Sequence, residues 1–501
     1  MNLLLLSMVM LLLAASPLVY LVGRISVRKN MIWGMSLARL LALLFILGEM
    51  ILVGFGVKSA ITTGSLKMNI GTTMLVFDGI GLLVSAVVLV LGACSILFSF
   101  RYIQGEKGEE KFYALLLITI GCIIGLSFSY DLFNMWIWFE GMAVSTYLLV
   151  AFYNHQPASL EAGFKYLVQS AIGSALVLFG IAIIFSVTGS TSFEYIWYMD
   201  KSAGSFSILG GVLLIVGFGV KAAFVPLHTW LPDAHSRAPS GISAMLSGIV
   251  IEAGLVAILR SISLLGKIGG NWGIILLVFG CLNILVGNLM ALRQTEVKRL
   301  LAYSSIAHVG YMLVGFGISF IYGLGTGASG AFFHLITHSL MKGLAFLSVG
   351  ALMYVVFIAN GEHGTLMLDD LNGVSRKYPL LALCLSAALL SLGGLPPFAG
   401  FMSKWQILVA GAMAKTAWMW AVVVFVGLNS VLSLAYYAPM INRMYRREIS
   451  EVVQRGKSIP WTMVVPMVIL ALAILVIGVW PNSVSFLTQT SANTLLYFFF
   501  N

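Results

Sequence analysis

Gly219-Val220-Lys221-Ala222-Ala223-Phe224-Val225-Pro226-Leu227-His228-Thr229-Trp230-Leu231-Pro232 is the stretch on which the reading of this chain turns. It sets a lysine about one turn before a proline in the middle of an apolar run. Pro226 withdraws a backbone donor and frees the carbonyl of Ala222. A broken backbone at membrane depth survives only where protein or water satisfies it. A charge near the bilayer centre costs about 2.5–3.5 kcal/mol even on insertion scales, so Lys221 has to face a polar interior. The same signature returns at Gly393-Gly394-Leu395-Pro396-Pro397, with Lys404 about two turns further on. The alternative for either lysine is a kinked helix whose long side chain snorkels to the membrane surface.

The sequence around these two breaks is lipid-soluble. Of 501 residues, 60% are hydrophobic and 9% charged, and the mean hydropathy is +1.01, which excludes a soluble domain of ordinary composition. A spanning helix needs about 20 apolar residues. Such runs lie near 3–22, 31–53, 77–100, 112–130, 132–153, 161–187, 207–231, 240–263, 273–291, 300–320, 328–358, 378–410, 417–442 and 461–481. The expected fold is therefore an all-α integral membrane protein of about fourteen transmembrane helices, two of them broken. The first run lacks a basic leader and an Ala-x-Ala site, so it is expected to stay as a helix. Alternate loops, with the span ends that border them, carry eighteen Lys or Arg against six in the others, which accounts for the net charge of +10 by membrane orientation and not by a nucleic-acid partner. That bias puts both termini outside the cytoplasm. Cys94, Cys122, Cys281 and Cys384 stand singly in apolar runs, without cluster, haem or zinc spacing, so no cofactor is expected in this chain.

Arg39, Lys221, Lys342, Lys404, Glu49, Glu140 and Glu252 fall inside the expected spans. Glu140, at the end of Trp136-Ile137-Trp138-Phe139-Glu140, would protonate unless a cation stood near it. His334, His338 and Lys342 are spaced by four, so each is turned about 40° from the last and the three run along one helical face for about 12 Å. The spacing lacks the adjacent glutamate of a zinc protease and any carboxylate or thiolate nearby in sequence, which argues against a metal site. Histidines packed structurally between helices are the competing reading. His308 adds a further group that titrates near neutral pH when unperturbed. Arg39 and Glu49 fit a rim or subunit contact as well as a buried role. Asp78, Asp131, Asp233 and Arg237 sit at span ends, where capping and orientation are the usual work. Phe164 to Ser170 resembles Phe333 to Ser339 at an offset of 169, and nearly the same offset sets Glu140 against His308. The offset equals five spans, an odd number, so the second copy would be inverted as in transporters. The expected units are an N-terminal three-helix segment (1–111), two half-channel repeats (112–272 and 273–445), and a C-terminal helix with its tail (446–501).

Together, Phe139-Glu140, the segment from Lys221 to Arg237, Ala302 to Tyr311, His334 to Phe346 and Leu395 to Lys404 resemble the antiporter-like subunits of respiratory complex I. The same likeness extends to its relatives, the membrane-bound hydrogenases, the F(420)-oxidising complexes and the multisubunit sodium/proton antiporters. The resemblance covers most of the chain from Asp78 to Lys404. It implies two inverted five-helix half-channels joined by a central polar axis that carries protons, or sodium ions, when a neighbouring module changes its electrostatics. Under it, Glu140 matches the pairing glutamate and Lys221 the first lysine. His308, His334, His338 and Lys342 match the central axis, and Lys404 the terminal ionisable residue. Glu252 departs, since the family usually has a lysine there, and the link between the half-channels rests on it. The segment Tyr303-Ser304-Ser305-Ile306-Ala307-His308 looks more like the complex I and hydrogenase branches. No long lateral helix is expected after the last span. The expectation is a middle pump subunit of a redox-driven complex in a prokaryotic cell membrane, its partners being further membrane subunits that hold the redox centres. The alternative is a subunit of a sodium/proton antiporter not driven by redox chemistry.

Overall fold

The computed structural model describes residues 2–29, 32–63, 65–71, 73–198, 205–266, 270–446 and 448–500. Five long helices open the chain: α1 (Asn2–Arg28), α2 (Ile32–Thr63), α3 (Gly79–Tyr102), α4 (Glu109–Phe128) and α5 (Leu132–Val150). After α6 (Pro157–Thr188) come the halves of the first broken helix, α7 (Ser205–Lys221) and α8 (Trp230–Arg237). Then follow α9 (Ser240–Leu265), α10 (Trp272–Leu292), α11 (Val297–Tyr322) and α12 (Gly325–Val356). The second broken helix is α13 (Pro379–Gly393) with α14 (Ala399–Met413). The chain closes with α15 (Ala417–Met444), α16 (Trp461–Val479) and α17 (Ser485–Phe500). Among the described residues eleven helices are long and apolar enough to cross a membrane. The other three crossings expected from the sequence fall on α5 and on the two broken helices, whose halves are each short of a span.

Burial sorts these helices into an inner and an outer set. The inner helices α9, α11 and α12 are enclosed almost all round, and they carry Glu252, His308 and the ladder from His334 to Lys342. Outer helices turn bulky apolar residues outward, such as Ile51 on α2, Phe179 on α6, Val278 on α10 and Val431 on α15. That surface suits lipid, in which an exposed leucine or valine carries no penalty. Glycines bring backbones together where helices cross. A Cβ at Gly217 of α7 would lie 2.6 Å from the carbonyl oxygen of Gly173 on α6. One at Gly310 of α11 would lie 2.6 Å from that of Gly280 on α10.

The two ends of the bundle differ. At the end with the arginine- and lysine-rich loops, Arg39 meets Glu109 at 2.5 Å and Arg24 meets Glu110 at 3.3 Å. The opposite end is built of irregular segments tied by backbone bonds. There a hairpin, β1 (Leu66–Ile70) and β2 (Thr73–Phe77), pairs antiparallel with Leu66 opposite Phe77. Isolated bridges join Leu75 to Ser129 and Asp131 to Ser192. Neither this hairpin nor α17 is foreseen in the sequence reading, which treats the residues after 481 as a tail. The tail is a helix laid across this end. Ser491 donates to the carbonyl of Gly79 at 2.8 Å, Trp197 Nε1 to that of Phe498 at 3.0 Å, and Phe499 packs on Phe320. Arg260, taken with the loop charges above, lies inside. It is 3% exposed, donates to both carboxylate oxygens of Asp78 at 2.8 and 2.9 Å, and also reaches the carbonyl of Ser127. The expected cap is present as well, since Asp78 accepts from Gly81 N at the start of α3. Asp131 likewise caps α5, accepting from the amides of Phe133 and Asn134. Asp233 differs, because it bridges Lys165 of α6 at 3.0 Å and Arg299 of α11 at 2.6 Å.

Candidate functional site

Lys221 is the last residue of α7, where the unpaired carbonyls of the final turn favour a cation. Beyond it the chain is non-helical until α8. Pro226 takes part in more than a kink: Ala223 adopts φ 54°, in the left-handed region, and the backbone turns out of the helix. The freed groups are paired by Asn283 of α10, which is fully buried. Its Oδ1 accepts from Val225 N at 2.8 Å, while Nδ2 donates to the carbonyls of Ala223 at 3.2 Å and Ile306 at 3.5 Å. Gln169 of α6 accepts from Trp230 N and bonds Thr229, closing the start of α8. Nothing in the sequence singles out Asn283, because one amide in an apolar run is unremarkable until its partners are known.

The ammonium of Lys221 donates to Thr146 Oγ1 at 3.2 Å and lies 4.4 Å from the centroid of the Tyr166 ring. Thr146 also bonds the Tyr166 hydroxyl at 2.9 Å, and that ring stacks on Trp230 at 4.0 Å. Glu140 stands on the same helix as Thr146, near enough for its charge to act on Lys221. No nitrogen–oxygen contact of ion-pair length joins them, and Glu140 Oε1 is buried without a hydrogen-bond partner. The anticipated pair is thus open, with Thr146 holding the lysine.

The second break repeats the first by other means. Gly394, at φ 79°, ends α13, and Lys404, two turns into α14, reaches back to it. Its Nζ donates to the carbonyl of Leu392 at 2.8 Å and to Ser430 Oγ at 3.1 Å, and lies 4.8 Å above the Tyr311 ring. Both ammonium groups therefore sit at the C-terminal end of a half-helix, that of α7 for Lys221 and that of α13 for Lys404, each against an aromatic ring.

Between the breaks lies the ladder. His334, His338 and Lys342 are all fully buried, turned inward and away from lipid. His334 shares a hydrogen bond with His308 at 3.0 Å and with Ser403 of α14 at 2.8 Å, so this line ends beside Lys404. The His308 ring stacks at 5.1 Å on both His334 and His338. His338 Nδ1 meets Glu252 Oε1 at 2.7 Å, and Ser339 donates to Glu252 Oε2 at 2.7 Å. Lys342 donates to the carbonyl of Leu301 and to Ser304, which bonds Tyr437. Glu252 follows a π-turn at Leu246–Val250, a local widening often found at functional positions. Two residues on, a Cβ at Gly254 would lie 2.9 Å from Ala222 N and 3.1 Å from Lys221 Cβ. Helix α9 therefore touches the first break at Gly254 and the ladder at Glu252.

Two buried groups near this line were passed over in the sequence. His235 of α8 is fully buried against the Phe346 ring, 4.6 Å away, with both ring nitrogens unpartnered. Lys298, taken above as a loop charge, is 3% exposed and donates to the carbonyl of Ala238. Of the two charges left open, Arg39 is in the ion pair with Glu109, and Glu49 is buried with neither oxygen hydrogen-bonded. Among the described residues no three His, Cys, Asp or Glu side chains are grouped to hold a metal ion.

An all-helical membrane bundle with two broken helices and a buried file of lysines, histidines and a glutamate defines an antiporter-like subunit. The family model described as NADH:quinone oxidoreductase/Mrp antiporter, transmembrane, matches residues 129–433, and the chain belongs to that family. It is 31% identical over 484 residues to F(420)H(2) dehydrogenase subunit N of Methanosarcina mazei, covering 94% of each chain. It is 32% identical over 433 residues to NADH-quinone oxidoreductase subunit N of Desulfitobacterium hafniense, covering 83% of each. Among solved structures, a chain of the membrane-bound sulfane sulfur reductase, an archaeal respiratory membrane complex, superposes with a TM-score of 0.87 at 27% identity, over 98% of this chain and 97% of that one.

Proposed function

We propose that this chain is a proton-translocating subunit of a redox-driven membrane complex, of the kind that oxidises NADH or F(420)H(2) or reduces sulfur compounds. The observation that carries this is the placement of Lys221 and Lys404 at the two helix breaks, with Glu252, His338, His308 and His334 buried between them. Residues 112–272 and 273–445 act as the two half-channels. In support, Lys165 on α6 bonds Asp233 in the second half of one broken helix, and His334, its counterpart at the offset of 169, bonds Ser403 in the second half of the other. Protons suit the inventory better than sodium, which needs several oxygen ligands. Both oxygens of Glu252 are already taken by His338 and Ser339. Electron carriers belong to partner subunits. The complex sits in a prokaryotic cell membrane, with the basic loops in the cytoplasm and both termini outside.

The test is electron-transfer-driven acidification of inverted membrane vesicles containing the assembled complex. Lys221→Ala and Lys404→Ala are each expected to abolish most proton transport while assembly and electron transfer through the partner subunits persist. Wild-type transport in both variants would show that the breaks are structural only.

A further inference from the structure

Around the ladder stand five basic side chains, His308, His334, His338, Lys342 and Lys404, with Glu252 the one carboxylate that bonds any of them among the described residues. Glu252 and His338 are both fully buried and meet at 2.7 Å. A buried charge is tolerated when it is paired and its remaining lone pairs are bonded, as Ser339 does here for the second oxygen.

The contacts then form two pieces. One is Glu252 with His338. The other is His308, His334 and Ser403, joined end to end. The interruption lies between His338 and His308, whose rings stack at 5.1 Å, and among His308, His334 and His338 the two ring nitrogens without a partner are Nε2 of His338 and Nε2 of His308. Each piece thus has one imidazole nitrogen without a bond, while His308 is equally close to the rings on both sides.

We propose that Glu252 and His338 together are the proton-holding station that joins the two half-channels, and that His308 takes the proton from it. The inference rests on the proton-translocating reading above. Loaded, the station is an imidazolium beside a carboxylate, with no net charge. Unloaded, it is a neutral imidazole, still donating Nδ1–H to the carboxylate, with one negative charge. In the step itself, the Nε2–H bond of His338 breaks and the proton binds Nε2 of His308. His308 releases its Nδ1 proton to Nε2 of His334, which leaves His308 in the opposite tautomer and His334 as an imidazolium whose Nδ1–H is held by Ser403 Oγ. A lysine station becomes charged when it loads, whereas this one becomes neutral. Loading here therefore adds no cation to a cluster already crowded with them. Gly254, pressed on the end of α7, keeps the station within the same helix that touches Lys221.

The experiment is proton transport by assembled complex in inverted vesicles, measured against electron transfer in the same vesicles. Glu252→Gln keeps size and hydrogen bonding but removes the charge, and at least a tenfold loss of transport is expected. Glu252→Asp should keep a measurable part. The exchange Glu252→His with His338→Glu rebuilds the pair in reverse, and should transport better than either single change, which a merely structural role does not predict. Wild-type transport in Glu252→Gln or in Glu252→Lys would overturn the proposal, since then a charge-neutral or cationic side chain would serve. If Glu252→Gln does not assemble, the exchange variant decides, and no gain over its single parents would overturn it. Lys221→Ala in the same series separates the two ideas: if it pumps normally, the translocation reading itself fails.

Discussion

Replacing Asn283 by leucine probes how the first broken helix is held. The amide side chain is fully buried and pairs the amide of Val225 and the carbonyls of Ala223 and Ile306, at 2.8, 3.2 and 3.5 Å. Leucine leaves the Val225 donor and the Ala223 acceptor without partners, at about 1–3 kcal/mol for each buried group. Burying the new apolar side chain returns about 1.5–3 kcal/mol at most, and only if it fits. The expected result is a break weakened by roughly 1–3 kcal/mol, about a five- to 150-fold lower population of the native loop. Because Lys221 ends the helix that enters this loop, transport should fall by more than the amount of assembled complex does. Asn283→Asp keeps the acceptor for Val225 and loses the donor for Ala223, so it should fall between. The measurements are vesicle acidification per assembled complex and the melting temperature of the purified complex. Asn283→Leu with unchanged transport and melting would refute the argument that this side chain holds the break.

Three further outcomes are expected. Glu140→Gln should remove most transport while Glu140→Asp retains part, because the aspartate keeps the charge near Lys221; near-normal vesicle acidification in Glu140→Gln would sink that role. Asp78→Asn should destabilise the complex by about 3–5 kcal/mol in thermal unfolding, since Arg260 stays buried without its counter-charge, whereas Asp78→Asn with Arg260→Met should recover much of the loss. A reporter fused after Asn501 should read as outside the cytoplasm, and a cytoplasmic signal would mean that the crossings are odd in number.

Much of the site was legible because lipid makes charge conspicuous. In a run as apolar as 207–231, a lysine beside a proline has few places to go, and Lys221 is at the break as read. The four-residue spacing from His334 to Lys342 likewise survives as one inward face. What escaped were partners on distant helices. Asn283 looks like a stray amide until Val225 and Ala223 are seen beside it. Arg260 and Lys298 lie close to span ends, where a basic residue ordinarily marks a loop, yet each is buried by a partner, Asp78 for one and the carbonyl of Ala238 for the other. Apolar periodicity does not help, because the lipid side and the packed side of these helices use the same residues. The residues from 485 to 500 mix Phe, Leu, Ser and Thr without charge. Only the docking sites at Gly79 and Phe320 show that they form a helix lying across the end of the bundle.

The π-turn at Leu246–Val250 carries one residue more than an α-helix would fit into the same length. Were it to smooth out, everything on one side of it would have to swing about 100° around the helix axis, the angular step of one residue. The far side is not free to swing, since Gly254 is wedged against Lys221 and Arg260 is locked to Asp78. The near side is tethered more lightly, by the Tyr102 hydroxyl on Ser240 and by Ser247 on Ser305. Slack in α9 is thus confined to a swivel between Ser240 and Val250, one residue short of the segment that aims Glu252, and any twisting there is felt at the seam with α12, where Gly248 lies against the backbone of Ser339, and at Ser305 of α11.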